Sequence, residues 1–253
     1  MNLYKELYFN PLKDDIYKEL NNLIKQDKNG NTESRNKIKS IMRILKDIDM
    51  KKPRAFNKEN PHIIVLSPEK NSFYDKKEEE YTYYYQNEWY EKYFKDETIQ
   101  FAKEKVQKEI TSKSVYEYIL SILKYLEEEK EREKEYINEI FHDKINKINY
   151  QYLLENAEEL VKMNNGIAFM FENRKKDELQ KVYELFKLYE PSLNILKEAF
   201  KSYIETKCEE IKAKGKDSTE LNNFKNDVEN LIIESFENNI LFQNEKEKIL
   251  LNN

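Results

Sequence analysis

One stretch constrains the fold more than any other: Ser114 to Ile137, SVYEYILSILKYLEEEKEREKEYI. Its first half spaces Val115, Ile119, Ile122 and Leu126 by threes and fours, which aligns them on one face of a helix. Its second half, Glu127 to Glu135, holds no apolar residue. A helix striped at its start and charged all round at its end is expected to pack at one end and project at the other. Glu128 and Arg132 stand four apart in the favourable order for a helix-surface ion pair, worth a few tenths of a kcal/mol.

The same periodicity runs through the rest of the chain. After an apolar start (Leu3, Leu7, Phe9) interrupted by Pro11, the stripe Leu12, Ile16, Leu20, Leu23 and Ile24 reads as a helix to about Lys28. Asn29, Gly30 and Asn31 supply its end and turn, and Thr32 is the expected N-cap of a second helix carrying Ile38, Ile41, Met42, Leu45 and Ile48. The two form an antiparallel hairpin. Pro53, Pro61 and Pro68 then break the pattern, and the one strand-like run, His62 to Pro68, has no second run to pair with, so residues 50–80 are expected as a loop.

From Tyr81 to about Ile110 a long aromatic helix is expected, carrying Tyr83, Trp89, Tyr90, Tyr93, Phe94, Phe101 and Val106. Base-stacking sites need a basic groove beside their aromatics, and without one core packing is the reading. Ser114 followed by Glu117 has capping-box spacing. Further stripes follow: Ile140 to Met163 as two short helices, Leu179 to Phe186, Leu193 to Ile211, Leu221 to Phe236, and a last one with Phe242, Ile249 and Leu250. Asn164, Asn165 and Gly166 form a turn, Pro191 closes a unit, and residues 212–218 with Gly215 are a loop. About ten helices joined by short turns result, a pattern that suits an α-solenoid or a stacked bundle.

Composition narrows the function. Three Gly and five Pro are too few for an all-β fold or a Gly-loop α/β fold. A net charge of −5, with Lys and Glu interspersed, gives no general attraction to phosphate backbones, so nucleic acid is not an expected partner. No run of about 18 apolar residues is long enough to span a bilayer, so no membrane association is expected. The single Cys208 excludes an intramolecular disulfide framework and fits a cytoplasmic or nuclear setting. His62 and His142 lie far apart without Cys or HExxH partners, so zinc is not expected. Cys208 sits beside Glu209 and Glu210, which oppose thiolate formation. Phosphate-loop, dinucleotide and nucleophile-elbow motifs are absent, and we single out no catalytic, cofactor-binding or metal-ligating residue.

Five blocks, Ser114–Ile137, Trp89–Phe101, Asp177–Phe186, Ser235–Phe242 and Leu7–Leu12 with Lys28, Asn29 and Gly30, together resemble the cullins, the scaffolds of multisubunit ubiquitin ligases. Ser114, Val115, Tyr118, Leu126, Glu128, Glu129, Arg132, Tyr136 and Ile137 match a family pattern. Trp89 to Phe101 is similar to the segment before it, with Thr98 and Phe101 aligned, and Asp177 to Phe186 is similar to one after it through Leu179, Tyr183, Leu185 and Phe186. Ser235, Phe236, Asn238, Asn239 and Phe242 resemble a block near the end of the arm, and Leu7 to Leu12 with Lys28, Asn29 and Gly30 resembles the start of the second repeat. Leu123, Tyr125, Lys187, Leu188 and Ser192 depart from the pattern, as do residues 53–80.

The resemblance implies an all-α, elongated α-solenoid of stacked five-helix cullin repeats. Residues 1–157 would be the second repeat, with the tail of the first at its start and a loop insertion at about 53–80. Residues 158–253 would be the third, in whole or in part. It implies a non-catalytic, rigid spacer of a ubiquitin ligase, acting in ubiquitin-dependent degradation in the cytoplasm, the nucleus or both. Its adaptor and RING partners would bind through regions absent here, so the chain is expected to be a monomeric fragment or a short divergent relative. Tyr118, Ile122, Leu126, Tyr183, Leu185, Phe186 and Phe236 are the expected structural core. The family positions of Glu128 and Arg132 favour a structural pairing between them. The rival reading is a helical-rod subunit of a vesicle-tethering or cytoskeletal assembly.

Overall fold

The computed structural model describes residues 8–50, 83–213 and 218–251. The expected loop at residues 53–80, His62, Leu3, Leu7 and Gly215 lie outside the described residues. The fold is all-α, with twelve α-helices among the described residues. These are α1 (Lys13–Lys28), α2 (Arg35–Met50), α3 (Tyr84–Trp89), α4 (Lys95–Ile110), α5 (Val115–Tyr136) and α6 (His142–Leu153). They continue as α7 (Ala157–Lys162), α8 (Ile167–Glu172), α9 (Lys176–Phe186), α10 (Glu190–Ala213), α11 (Ser218–Ser235) and α12 (Ile240–Leu251). The chain divides into two compact units, Met1–Gln100 with Glu131–His142, and Phe101–Lys130 with Asp143–Asn253. The three sequence boundaries fall inside α4, inside α5 and after the first residue of α6.

In the first unit, α1 and α2 form the expected hairpin. Gly30, at φ +96°, takes the left-handed turn conformation that a side chain would disfavour. The buried stripe of α1 differs from the expected one. Leu12 is exposed, and Tyr17, Leu20, Leu23, Ile24 and Asp27 face inward. Tyr17 displaces the earlier apolar positions because its hydroxyl donates to the Tyr85 carbonyl at 2.9 Å, satisfying its polar end inside the core. The cap of the second helix also moves. Asn31 accepts from the Glu33 amide across a short 3-10 turn, Thr32–Ser34, and α2 starts only at Arg35.

The expected long aromatic helix is α3 and α4 joined without a break through a π-helical turn, Tyr90–Phe94. Residues five apart in an α-helix point about 140° apart. The wider π turn instead lets Trp89 and Phe94 meet, ring centroids 4.7 Å apart. Tyr90 stacks on Phe141 at 5.0 Å, and the Trp89 indole donates to Asn21 at 2.8 Å.

In the second unit, Ser114 and Glu117 close the expected capping box at the start of α5. The Glu117 amide donates to Ser114 Oγ at 3.3 Å, and the Ser114 amide donates to the Glu117 carboxylate at 2.9 Å. Val115, Ile119, Ile122 and Leu126 are buried in one core with residues of α6 to α12. Pro191 lies in the first turn of α10, where its missing N–H costs nothing. Phe236, just past α11, meets four rings: Phe242 at 4.2 Å, Tyr183 and Phe200 at 5.7 Å, and Phe171 at 6.1 Å.

Gly166 carries the turn into α8 by close approach. A Cβ there would lie 2.5 Å from the Leu160 carbonyl oxygen and 2.6 Å from that of Met163. Both are backbone atoms, so relief requires moving α7. We expect Gly166→Ala to destabilise the protein by about 1–3 kcal/mol, the usual cost of forcing atoms into a packed site. A denaturation midpoint equal to that of the natural protein would refute the tight approach.

Candidate functional site

The charged end of α5 does not project. Glu129, Arg132 and Glu133 are 3%, 8% and 4% exposed. The expectation of a solvated extension is corrected here, and for Arg132, Glu135 and Tyr136 the reason is a set of charges supplied by α1 and α2.

Asp27 is the centre of that set. It faces inward on α1 ten residues after Tyr17, where the apolar stripe would have placed a hydrophobe. The Arg35 Nε–H donates to Asp27 Oδ1 at 2.6 Å, and the Tyr136 hydroxyl donates to Oδ2 at 3.0 Å. Arg132 Nε lies 3.4 Å from the same Oδ2. Arg35 also donates to Glu135 at 3.0 Å, and Lys39 pairs with Glu135 at 2.6 Å. α1, α2 and the last turns of α5 are thus tied by charge-assisted hydrogen bonds, the stronger kind. The Lys39 ammonium holds the Glu135 carboxyl below the usual carboxylate range, outweighing its partial burial.

Two further acids tie α3 to its neighbours. Asp49, buried near the end of α2, accepts the Tyr85 amide at 2.8 Å and the Gln86 side-chain amide at 3.1 Å. It therefore satisfies an orphan donor of α3, which has no side-chain cap of its own. Glu88 accepts Lys13 and Lys92, each at 2.7 Å.

Burial pushes the Glu88 carboxyl up, but the hydrogen bonds from Lys13 and Lys92 outweigh it and the net shift is downward. A carboxyl lowered on folding stabilises at pH values above its unfolded range, and that contribution is lost as pH falls through the folded value. We therefore expect the melting temperature to fall as pH drops below the ordinary carboxylate value of 4.5, and the fall to shrink in Glu88→Gln. An identical pH profile in the variant would remove Glu88 from the account.

Glu128 lies at the surface with Lys124 at 3.9 Å, and Arg132 is buried with its Nε 3.4 Å from Asp27. Tyr118, Ile122, Leu126, Tyr183, Leu185, Phe186 and Phe236 are all buried. Tyr118 donates to the Leu153 carbonyl at 2.7 Å. Two of the departures from the cullin pattern have physical roles. Tyr125 stacks on Phe101 at 5.7 Å, and the buried Ser192 hydroxyl donates to the Phe186 and Tyr189 carbonyls at 2.9 and 2.7 Å, closing the end of α9.

Asp27, Asp49, Arg35 and Glu88 were not singled out from sequence. For Asp27 a signal existed, since positions 17, 20, 24 and 27 of α1 share one face.

His142 Nε2 lies 3.2 Å from the carbonyls of Glu133 and Ile137, and burial pushes the Cys208 thiol up, away from the reactive thiolate. Among the described residues no group of three or more His, Cys, Asp or Glu could hold a metal ion, and no helix is long and apolar enough to cross a membrane. What these polar groups do is attach helices to one another.

A family model described as the cullin alpha solenoid domain matches residues 1–249 of the chain. Among curated proteins, none matches it significantly.

Proposed function

The chain belongs to the cullin family, and from that premise we propose that it is a scaffold segment of a ubiquitin ligase, a rigid spacer between the substrate-adaptor end and the RING end. The carrying observation is the match to an α-solenoid domain over nearly the whole chain. A spacer acts by position: a ligase gains when substrate and charged enzyme are held at a set distance, which a flexible linker would not do.

The internal chemistry supports this reading. α5 runs unbroken from Val115 to Tyr136, is capped at its start by Ser114 and Glu117, and is tied at its end to Asp27. In this proposal residues 1–157 and 158–253 correspond to the second and third cullin repeats. Tyr118, Ile122, Leu126, Tyr183, Leu185, Phe186 and Phe236 keep the packing continuous, and Glu128 and Arg132 serve as structural charges of α5. The segment performs no catalytic step, and its ligase partners are an adaptor and a RING subunit acting in cytoplasm or nucleus. No observation favours the tethering or cytoskeletal rod.

The test is a distance measurement. Ile44 and Ile233 are both about half exposed, one in each unit, and accept spin labels as Ile44→Cys and Ile233→Cys in a Cys208→Ala background. A rigid spacer gives a single narrow distance distribution. A broad or multiple distribution would sink the spacer reading.

A further inference from the structure

Within the second unit, α7, α8 and α10 line a groove of about 490 Å³. Its floor is Val161, Ile195, Ala199 and Tyr203, partly buried hydrophobes that rest on the core. Ala168 and Ala199 leave the space open by being small. Tyr203 forms a fixed wall, stacked on Phe171 at 5.5 Å and edge-on to Phe224 at 6.0 Å. A neighbouring hollow of about 550 Å³ shares Glu158, Lys162 and Ile195 with it and adds Met163 to the apolar surface. The groove is therefore built before any ligand arrives.

The rim has one dominant sign. Glu155, Glu158, Glu159, Glu172 and Glu198 line the two hollows against Lys162 and Lys207 only, five acids to two bases. Neither lysine offsets the imbalance well. Lys207 is held by Glu210 at 2.9 Å, and Lys162 is 3.7 Å from Glu158 with both side chains largely in solvent. Lys197, 3.7 Å from Glu198, does not line the groove.

We propose that this groove docks a short basic amphipathic helix of a partner protein. The apolar floor between helices takes the hydrophobic face of such a helix, and the acidic rim selects Lys and Arg on its flanks. A surface of this kind adds a partner contact to the scaffold, and the inference stands whether or not the spacer reading holds.

The probe is a synthetic helix of about four turns, with Leu at i, i+3, i+4 and i+7 and Lys elsewhere, titrated by fluorescence anisotropy into the full chain. The same peptide with Glu in place of Lys is the control. The Lys peptide is expected to bind saturably, the Glu peptide not at all, and added salt to weaken the complex as it screens the rim. Ala168→Phe, at an exposed position, fills the groove and is expected to weaken binding at least about tenfold. The exposed pair Glu158→Lys and Glu172→Lys tests the rim independently and is expected to weaken binding about fivefold or more, with the melting temperature unchanged. The proposal is overturned if the Lys peptide fails to bind, or binds both variants as tightly as the natural protein. It is equally overturned if the chain self-associates and Ala168→Phe abolishes that association, which would give the groove to a second copy.

Discussion

Phe236→Ala is expected to lower stability by about 3–5 kcal/mol, the range for truncating a fully buried phenylalanine. The upper part of that range is the better expectation because the surroundings cannot collapse. Phe236 is wholly buried and its ring touches Phe171 of α8, Tyr183 of α9, Phe200 of α10 and Phe242 of α12. Each neighbour is held elsewhere. Tyr183 accepts the Asn239 side-chain amide at 2.9 Å, and Phe171 is stacked on Tyr203. The turn carrying Phe236 is itself committed: Glu237 and Asn238 both take φ near +50° (51° and 55°), and Asn239 then caps α12 through the Leu241 amide at 2.8 Å. Urea unfolding followed by circular dichroism measures the effect, with Ile233→Ala as the exposed control, expected within about 0.5 kcal/mol of the natural protein. A loss below about 1 kcal/mol for Phe236→Ala would mean that the ring cluster relaxes around the hole.

That cluster was legible in the sequence because apolar periodicity reports burial directly. Leu179, Val182, Tyr183, Leu185 and Phe186 follow the spacing of one helix face and are all buried. Local chemistry was legible too, since the Ser114–Glu117 capping box needs only residues three apart. What escaped were features whose cause lies elsewhere in the chain. The π turn at Tyr90–Phe94 arises where Trp89 meets Phe94 and Tyr90 stacks on Phe141, and Phe141 is more than forty residues on. Likewise the run from Glu127 to Glu135 reads as solvated because its periodicity contains no apolar residue. Its partners Asp27, Arg35 and Lys39 belong to helices whose position the run itself does not encode. A charge pattern shows where ions are, and only the fold shows which of them are buried in pairs.

The end of α5 supplies the second large effect. Asp27→Ala is expected to cost about 3–5 kcal/mol, because removing the central carboxylate of a buried charge cluster leaves its cationic neighbours less well compensated. Two arginines lose their contact with Asp27, but unequally. Arg35 is about one-third exposed and still has Glu135 at 3.0 Å, so it can rehydrate. Arg132 is nearly buried, and most of the cost falls on it. Asp27→Ala should therefore couple to Arg132→Met by at least about 1 kcal/mol in a double-mutant cycle, and less to Arg35→Met. For the same reason, Asp27→Leu combined with Arg132→Met should recover much of the loss, since an apolar pair of similar volume often equals or exceeds a buried ion pair. The Tyr136 hydroxyl, 3.0 Å from Asp27 Oδ2, would lose that hydrogen bond, which limits the recovery. Chemical denaturation of the four proteins of each cycle decides the matter. If Asp27 and Arg132 prove independent, the charged turns of α5 are held by their backbone and by Tyr136 packing rather than by the ion pair, and the cluster would be a consequence of the fold instead of one of its causes.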